Sequence, residues 1–120
     1  MDFTNDLFLI GVSFGLISII AGFILLKYPP KSINYLYGYR TKNSMKSQKV
    51  WDFAQVYSAK LMIKGGLVFV LLGGLGLVVP LSQTINVMIG LGTLLLFCFY
   101  LFYKTEKKLK QKFNNDKNHI

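Results

Sequence analysis

The chain has 120 residues, 52% of which are hydrophobic, and its formal net charge is +9 at pH 7. This length leaves room for one domain, and so apolar a composition excludes an ordinary soluble globular protein and indicates a membrane protein. A single cysteine and a single histidine, Cys98 and His119, exclude a clustered zinc site, so we expect no metal and no cofactor.

The first predicted element is a transmembrane helix over residues 7–27, because about 20 apolar residues cross a hydrocarbon core of about 30 Å. The acidic residues Asp2 and Asp6 and the lack of a basic segment before the helix argue against a cleaved signal peptide. Small residues recur along the helix at spacings of four, three and four, at Gly11, Gly15, Ser18 and Gly22. Such a face packs either against another helix of the same molecule, which we favour, or against a second copy in a homo-oligomer.

Residues 28–61 are predicted to form a polar loop that contains an amphipathic helix. Two prolines end the first helix, whereas residues 44–64 contain neither glycine nor proline. At about 100° per residue, one mainly apolar face of this segment carries Val50, Ala54, Tyr57 and Leu61. We expect Thr41 or Ser44 to cap the helix. The sequence leaves open whether the helix lies flat in the membrane interface or continues into the second span.

Two further transmembrane helices are predicted at residues 62–81 and 85–103, with a tight turn at Pro80 between them. Gly73 in the second helix and Gly90 in the third are expected to permit close helix packing. A basic tail follows at residues 104–120. The predicted fold is therefore an all-α membrane protein, a single domain of three transmembrane helices with an amphipathic cytoplasmic helix between the first and second.

The basic residues predict the orientation of these helices. All 14 lysines and arginines lie between residues 27 and 64 or after residue 103. The positive-inside rule then places the loop and the tail in the cytoplasm, and the N-terminus and the turn at Pro80 outside the cell. The same charges are expected to contact anionic lipid headgroups, and the tail is too short to form a fold for nucleic-acid recognition.

The predicted spans carry no pattern typical of catalysis or of ion coupling. Their interiors contain no ionisable residue, whereas proton-coupled transporters usually keep one there. Lys64 lies near one end, where its long side chain is expected to extend to the interface. We find neither a nucleophile with an adjacent base nor a glycine-rich phosphate loop. We therefore expect that the protein is not an enzyme.

The polar loop carries a more specific pattern, in which Gly-Tyr-Arg-Thr at residues 38–41 is followed by Ser44, Met45, Ser47, Trp51, Ala54, Lys60 and Gly65. This order, ahead of a glycine-bearing span, resembles the SdpI family of small bacterial membrane proteins. The resemblance covers about residues 38–103, and the first helix fits the family's placement of a helix before the motif. Gln55 and Ala59 stand where the family pattern leads us to expect Asn and Gly. The chain would be a short, three-span member.

The resemblance implies a role in immunity or resistance to a membrane-active peptide toxin. The founding member of the family protects its producer from such a peptide, and it also holds a transcriptional repressor at the membrane. The candidate functional residues are seven residues of the motif together with two polar groups, Asp52 and Gln55, that could converge with them. The seven are Gly38, Tyr39, Arg40, Thr41, Ser44, Trp51 and Lys60. Among these, we expect Arg40 and Trp51 to matter most.

Several alternatives stay open at this level. Arg40 could pair with Asp52, with a helix C-terminus or with a lipid phosphate. A groove between the second and third helices could hold an apolar peptide helix. The protein could instead be a membrane scaffold that recruits a cytoplasmic regulator or anionic lipid, or a small oligomeric transporter or lipid-handling protein.

Overall fold

The computed structural model describes residues 4–113, which form three consecutive antiparallel helices and contain no strand. The helices are α1 (Asp6–Lys27), α2 (Gln48–Leu75) and α3 (Gln83–Phe113). Each of them is long and apolar enough to cross a membrane. The predicted all-α membrane fold with three transmembrane helices is therefore confirmed.

The helix starts follow from side-chain capping. Asn5 caps α1, because its Oδ1 accepts a backbone N–H three residues further on at 3.1 Å. Ser47 caps α2 in the same way, at 3.3 Å. The expectation that Thr41 or Ser44 caps this helix is wrong, because these two residues bond to each other within the loop before it.

The predicted amphipathic helix and the second span are one element, α2. It begins at Gln48 and passes through Gly65 and Gly66 without a break. The helix expected between the first two spans is thus the first half of α2 and not a separate helix. Of the two alternatives, the structure shows the one in which this helix continues into the second span. At its other end α2 stops at Leu75 rather than near residue 81, since the glycine and proline that follow disfavour helix.

α3 is longer than predicted, because it continues past the apolar segment to Phe113. Residues 104–113 of the predicted basic tail are therefore helical, and they lie beside the start of α2. There Leu109 shares a buried apolar cluster with Tyr39 and Ala54. Residues 114–120 of the predicted tail, with His119, lie outside the described residues, as does Asp2.

A row of glycines lets α1 lie directly against α2. A Cβ added at Gly11 would be 2.6 Å from the Gly73 Cα, and one at Gly15 would be 2.7 Å from the Gly66 carbonyl oxygen. At Gly22 a Cβ would be 2.8 Å from another backbone carbonyl oxygen of α2. These distances are shorter than van der Waals contact, so α2 of the same molecule covers the small-residue face of α1.

α3 packs more loosely against the other two helices. Gly90 contacts the Ile10 side chain of α1. The Phe97 ring fills the space beside Gly65 of α2 and lies 5.5 Å from the Phe69 ring, between centroids. The groove expected between α2 and α3 is therefore filled at this level. Most of the large apolar side chains on the outer face of α3 are exposed, which suits a helix that faces lipid.

Candidate functional site

The candidate functional residues lie at one end of the bundle, where α1 ends, α2 begins and the second half of α3 passes. We call it the basic end because lysines and Arg40 gather there, whereas the turn at residues 76–82, at the opposite end, has no charged residue. Residues 28–47 cross the basic end as a loop. Side chains hold this loop in place; Asn34, for example, accepts the N–H groups of Leu36 and Tyr37 at 2.9 and 2.8 Å.

Gln55 pairs with the backbone of residues 38–44, which we call the motif loop. Its side-chain amide forms the same two hydrogen bonds that a backbone peptide group would form. Its Oε1 accepts the Tyr39 N–H at 2.6 Å, and its Nε2 donates to the Tyr39 carbonyl oxygen at 2.8 Å. The Gln55 side chain is fully buried. Because a side-chain amide offers a donor and an acceptor in one plane, both backbone groups of Tyr39 are paired away from water.

Gly38 brings the backbone of the motif loop against Gln55. Its φ is +103°, in a region that glycine adopts readily and other residues rarely do. A Cβ at this position would collide with the Gln55 Oε1 and would lie 2.8 Å from the Pro30 Cγ. Backbone conformation and available space both require glycine here, which explains the first residue of the motif.

Ser44 fixes the far side of the motif loop. Its hydroxyl accepts the Thr41 N–H at 2.8 Å and lies within donating distance of two carbonyl oxygens, those of Tyr39 at 3.2 Å and Thr41 at 3.0 Å. The Thr41 hydroxyl accepts the Ser44 N–H in return, at 3.1 Å. This reciprocal pair closes a short turn, and Ser44 is fully buried within it.

Trp51 acts inside the fold. Its side chain is 0% exposed, and its Nε1 donates to the Pro30 carbonyl oxygen at 2.8 Å. The indole thereby fastens the segment after α1 onto the start of α2. Trp51, one of the two residues expected to matter most, therefore positions the loop and has no surface with which to touch a ligand.

Glu106 of α3 joins the motif loop to the third helix. Its carboxylate accepts hydrogen bonds from the Tyr39 hydroxyl, at 2.8 Å, and from the Asn43 side-chain amide. Partial burial raises the pKa of Glu106, but hydrogen bonds from Thr41, Asn43 and Tyr39 and the charge of Lys110 lower that pKa more, to below its usual 4.5. Burial and this carboxylate raise the pKa of Tyr39, so its hydroxyl remains a donor.

We expect this arrangement to make the stability of the protein depend on pH. Because folding lowers the pKa of Glu106, its contribution to stability is present above about pH 4.5 and is lost as the pH falls through the lower value in the folded protein. The melting temperature of the purified protein should fall on acidification, and Glu106→Gln should weaken that dependence. Asp52→Asn, which changes an exposed carboxylate, is the control. Equal acid dependence in the wild type and in Glu106→Gln would contradict the assignment.

Three of the candidate functional residues are exposed, namely Arg40, Asp52 and Lys60. Asp52 accepts a hydrogen bond from the Gln48 side chain of its own helix at 2.7 Å. Arg40 makes no ion pair or hydrogen bond with another residue in the range 4–113, so the proposed pairing with Asp52 is not present there. Arg40 and Lys60 are thus the exposed cations of the motif, and of these two Arg40 lies in the motif loop.

The sequence reasoning missed the contribution of α3 to this site. Three residues that link the motif loop and α2 to α3 were not singled out. They are Asn43 of the motif loop and Glu106 and Leu109 of α3. One signal was available: Glu106 is the only acidic residue in the basic segment 104–113. A single carboxylate among lysines has many possible partners, so its contact with Tyr39 could not be inferred.

The site offers hydrogen-bonding groups and one exposed guanidinium. Within residues 4–113, no three His, Cys, Asp or Glu side chains come close enough together to hold a metal ion. Cys98 is exposed on α3. The arrangement is suited to binding a partner or ligand, and we assign no bond-breaking chemistry to it.

Comparison with known proteins shows where this motif occurs. The model of the SdpI/YfhL protein family matches residues 31–103, which include the motif loop, α2 and the apolar part of α3. This chain belongs to the SdpI/YfhL family. It is 44% identical over 100 residues to the uncharacterized protein YfhL of Bacillus subtilis (strain 168), across 83% of this chain and 86% of that protein. No solved structure matches the chain.

Membership of the SdpI/YfhL family confirms the resemblance inferred from the motif. With three helices able to span a membrane, it makes this chain a multi-pass membrane protein. The matched segment begins after α1 and ends before residues 104–113, so the family pattern covers the loop at the basic end together with α2 and the apolar part of α3. Since the relative is described as uncharacterized, its name assigns no activity.

Proposed function

We propose that this SdpI/YfhL protein gives a bacterium immunity or resistance to a membrane-active peptide toxin, and that it acts by binding and not by catalysis. Family membership, together with a motif whose buried residues form one hydrogen-bonded unit, carries this proposal. Gln55 and Ser44 hold the motif loop, and Trp51 fastens Pro30, earlier in the same connection, to α2. These bonds fix the backbone from which Arg40 extends, which lowers the entropy cost of binding.

We further propose that the basic end lies in the cytoplasm, with the N-terminus outside the cell, because the lysines and arginines gather on one side. A peptide that has entered the bilayer then meets the protein from the lipid. The outer faces of α1 and α3 expose many large apolar side chains to it. An apolar peptide helix can pack along such a face as transmembrane helices pack on one another.

The test is survival of a sensitive bacterium that expresses the protein and is challenged with membrane-active peptides, including any encoded beside its gene. We expect the wild type to raise the inhibitory concentration of at least one peptide. Arg40→Ala should remove most of that protection, because it deletes the exposed guanidinium of the motif loop. Lys46→Ala is the matched control, since Lys46 is also an exposed cation of the same loop.

Immunity would be contradicted if no peptide is tolerated better when the protein is present in the membrane. The role of Arg40 would be contradicted if Arg40→Ala protects as well as the wild type, or if Lys46→Ala loses as much protection as Arg40→Ala. Membrane abundance of each variant, measured by immunoblot, separates loss of function from loss of protein.

A second function is favoured by one observation at the basic end. Lys112 lies 4.8 Å from the centroid of the Phe53 ring, and Lys49 lies 5.9 Å from that of Phe113. These four residues form a basic and aromatic surface that suits an acidic patch of a soluble regulator. Lys49→Glu with Lys112→Glu should abolish capture of such a regulator from cytosol while leaving peptide resistance intact. Loss of resistance in this double variant would instead place the surface in the immunity function.

A further inference from the structure

A cavity of about 320 Å³ opens at the basic end, between all three helices and the motif loop. Its walls are mainly apolar, and they include Ala21, Leu25, Met62, Leu101 and Phe102. The Ser58 hydroxyl, which also faces the cavity, is already engaged with the Gln55 carbonyl oxygen at 3.2 Å. The walls therefore suit a hydrocarbon ligand.

Arg40 adds one charge to the lining of this cavity. The residue before it, Tyr39, is held by Gln55 through both backbone groups, so the backbone from which Arg40 extends beside the cavity is fixed. The only acidic candidate of the motif, Asp52, is engaged with Gln48 on α2. A guanidinium presents several donors in one plane, which match the oxygens of a phosphate group.

The charge of Arg40, rather than the size of the cavity, distinguishes between apolar ligands, because a phospholipid carries a phosphate next to its acyl chains. An acyl chain is narrow and flexible, and in a membrane it is the most abundant apolar ligand. Basic residues at a membrane surface also attract anionic headgroups.

We propose that this cavity binds one acyl chain of an anionic phospholipid, with the lipid phosphate held by Arg40. The apolar walls complement the chain, and the guanidinium complements the phosphate. The site deepens the proposed function by naming a ligand for Arg40, but it exists whether or not the protein confers immunity. The binding measurement below uses no toxin, so failure of either proposal leaves the other standing.

The experiment uses the full chain, purified in detergent, stripped of lipid and titrated with phosphatidylglycerol or with phosphatidylcholine of the same acyl chains, with bound lipid counted by native mass spectrometry. We expect one phosphatidylglycerol to bind in preference to phosphatidylcholine, because the choline cation beside the phosphate of phosphatidylcholine repels the Arg40 guanidinium and cancels the negative charge of the headgroup. Glycerol phosphate, which has the phosphate but no chain, should not compete at concentrations that saturate the lipid.

Two variants address the two halves of the site. Arg40→Ala should weaken phosphatidylglycerol binding by about tenfold or more and remove the preference for it, because a charge-assisted hydrogen bond is lost. Leu101→Trp should fill the cavity from the loosely packed α3 and weaken both lipids equally. Lys107→Ala removes an exposed charge elsewhere on α3 and should leave binding unchanged.

Equal binding of the two lipids by the wild type would overturn the proposal. So would an Arg40→Ala protein that keeps its preference for phosphatidylglycerol, or a Lys107→Ala protein that loses it. Competition by glycerol phosphate alone would show that the site takes a phosphate group and not a lipid. Because Arg40 is exposed, its variant tests the site even if Leu101→Trp does not fold.

Discussion

Replacing Gly15 with leucine is expected to separate α1 from α2 and to leave little folded protein in detergent. A Cβ at this position would lie 2.7 Å from the Gly66 carbonyl oxygen and 2.9 Å from the Val70 backbone nitrogen. Backbone atoms of a helix cannot move aside as a flexible side chain can. We expect a destabilisation of about 3 kcal/mol or more, seen as a lower melting temperature and as loss of the monodisperse species in size-exclusion chromatography.

Gly74→Leu and Gly92→Leu are the matched controls for this change. Both glycines lie within helices, and a Cβ at either one would meet no atom within 4 Å. The same glycine-to-leucine substitution should therefore cost little there, or raise stability slightly because leucine favours the helix. Comparable losses at Gly15, Gly74 and Gly92 would show that the close contact between α1 and α2 is not what holds the bundle together.

Replacing Gln55 with leucine is expected to release the motif loop while leaving the three helices in place. Leucine has a similar size but supplies neither of the two hydrogen bonds to Tyr39. Each buried backbone group left without a partner costs about 1–3 kcal/mol. If residues 38–44 open to water, their backbone groups regain hydrogen bonds and that cost is removed. The loop should therefore open while the helix bundle stays folded.

Hydrogen exchange measures this second prediction directly. The Tyr39 amide should exchange about tenfold faster or more in Gln55→Leu, while amides in the middle of α2 keep their protection. Gln48→Leu is the control, because Gln48 is exposed and bonds to Lys31 and Asp52 outside the motif loop. Unchanged protection of Tyr39 in Gln55→Leu would show that the two bonds do not determine the loop conformation.

The two predictions concern features that the sequence revealed to different degrees. Hydropathy and charge were sufficient to predict three helices, because about 20 apolar residues in a row have few alternatives to a span. Continuation of α2 through Gly65 and Gly66 could not be predicted. Glycine weakens a helix by about 1 kcal/mol in water, but here Gly66 packs against Gly15 and the Phe97 ring lies over Gly65, and such contacts are invisible in one segment.

The candidate site shows the same limit. The motif drew attention to residues 38–44, where sequence rules describe the role of Gly38, whereas Ser44 closes a turn within the loop and does not cap a helix as expected. The role of Trp51 was not evident, because a tryptophan near a membrane interface is usually an anchor in lipid headgroups. The partner of its indole N–H is the carbonyl oxygen of Pro30, which lies beside it only when the loop folds back.

α3 continues without a hinge from its apolar part into residues 104–113. It therefore connects the bilayer to the motif loop. Its 31 residues extend about 46 Å, well beyond a hydrocarbon core of about 30 Å. A tilt or rotation of the lipid-exposed half is therefore carried into residues 104–113, where Glu106 bonds to the motif loop. We therefore expect a change of membrane thickness that tilts α3 to reach the motif loop through Glu106, without any direct contact between the loop and the hydrocarbon core.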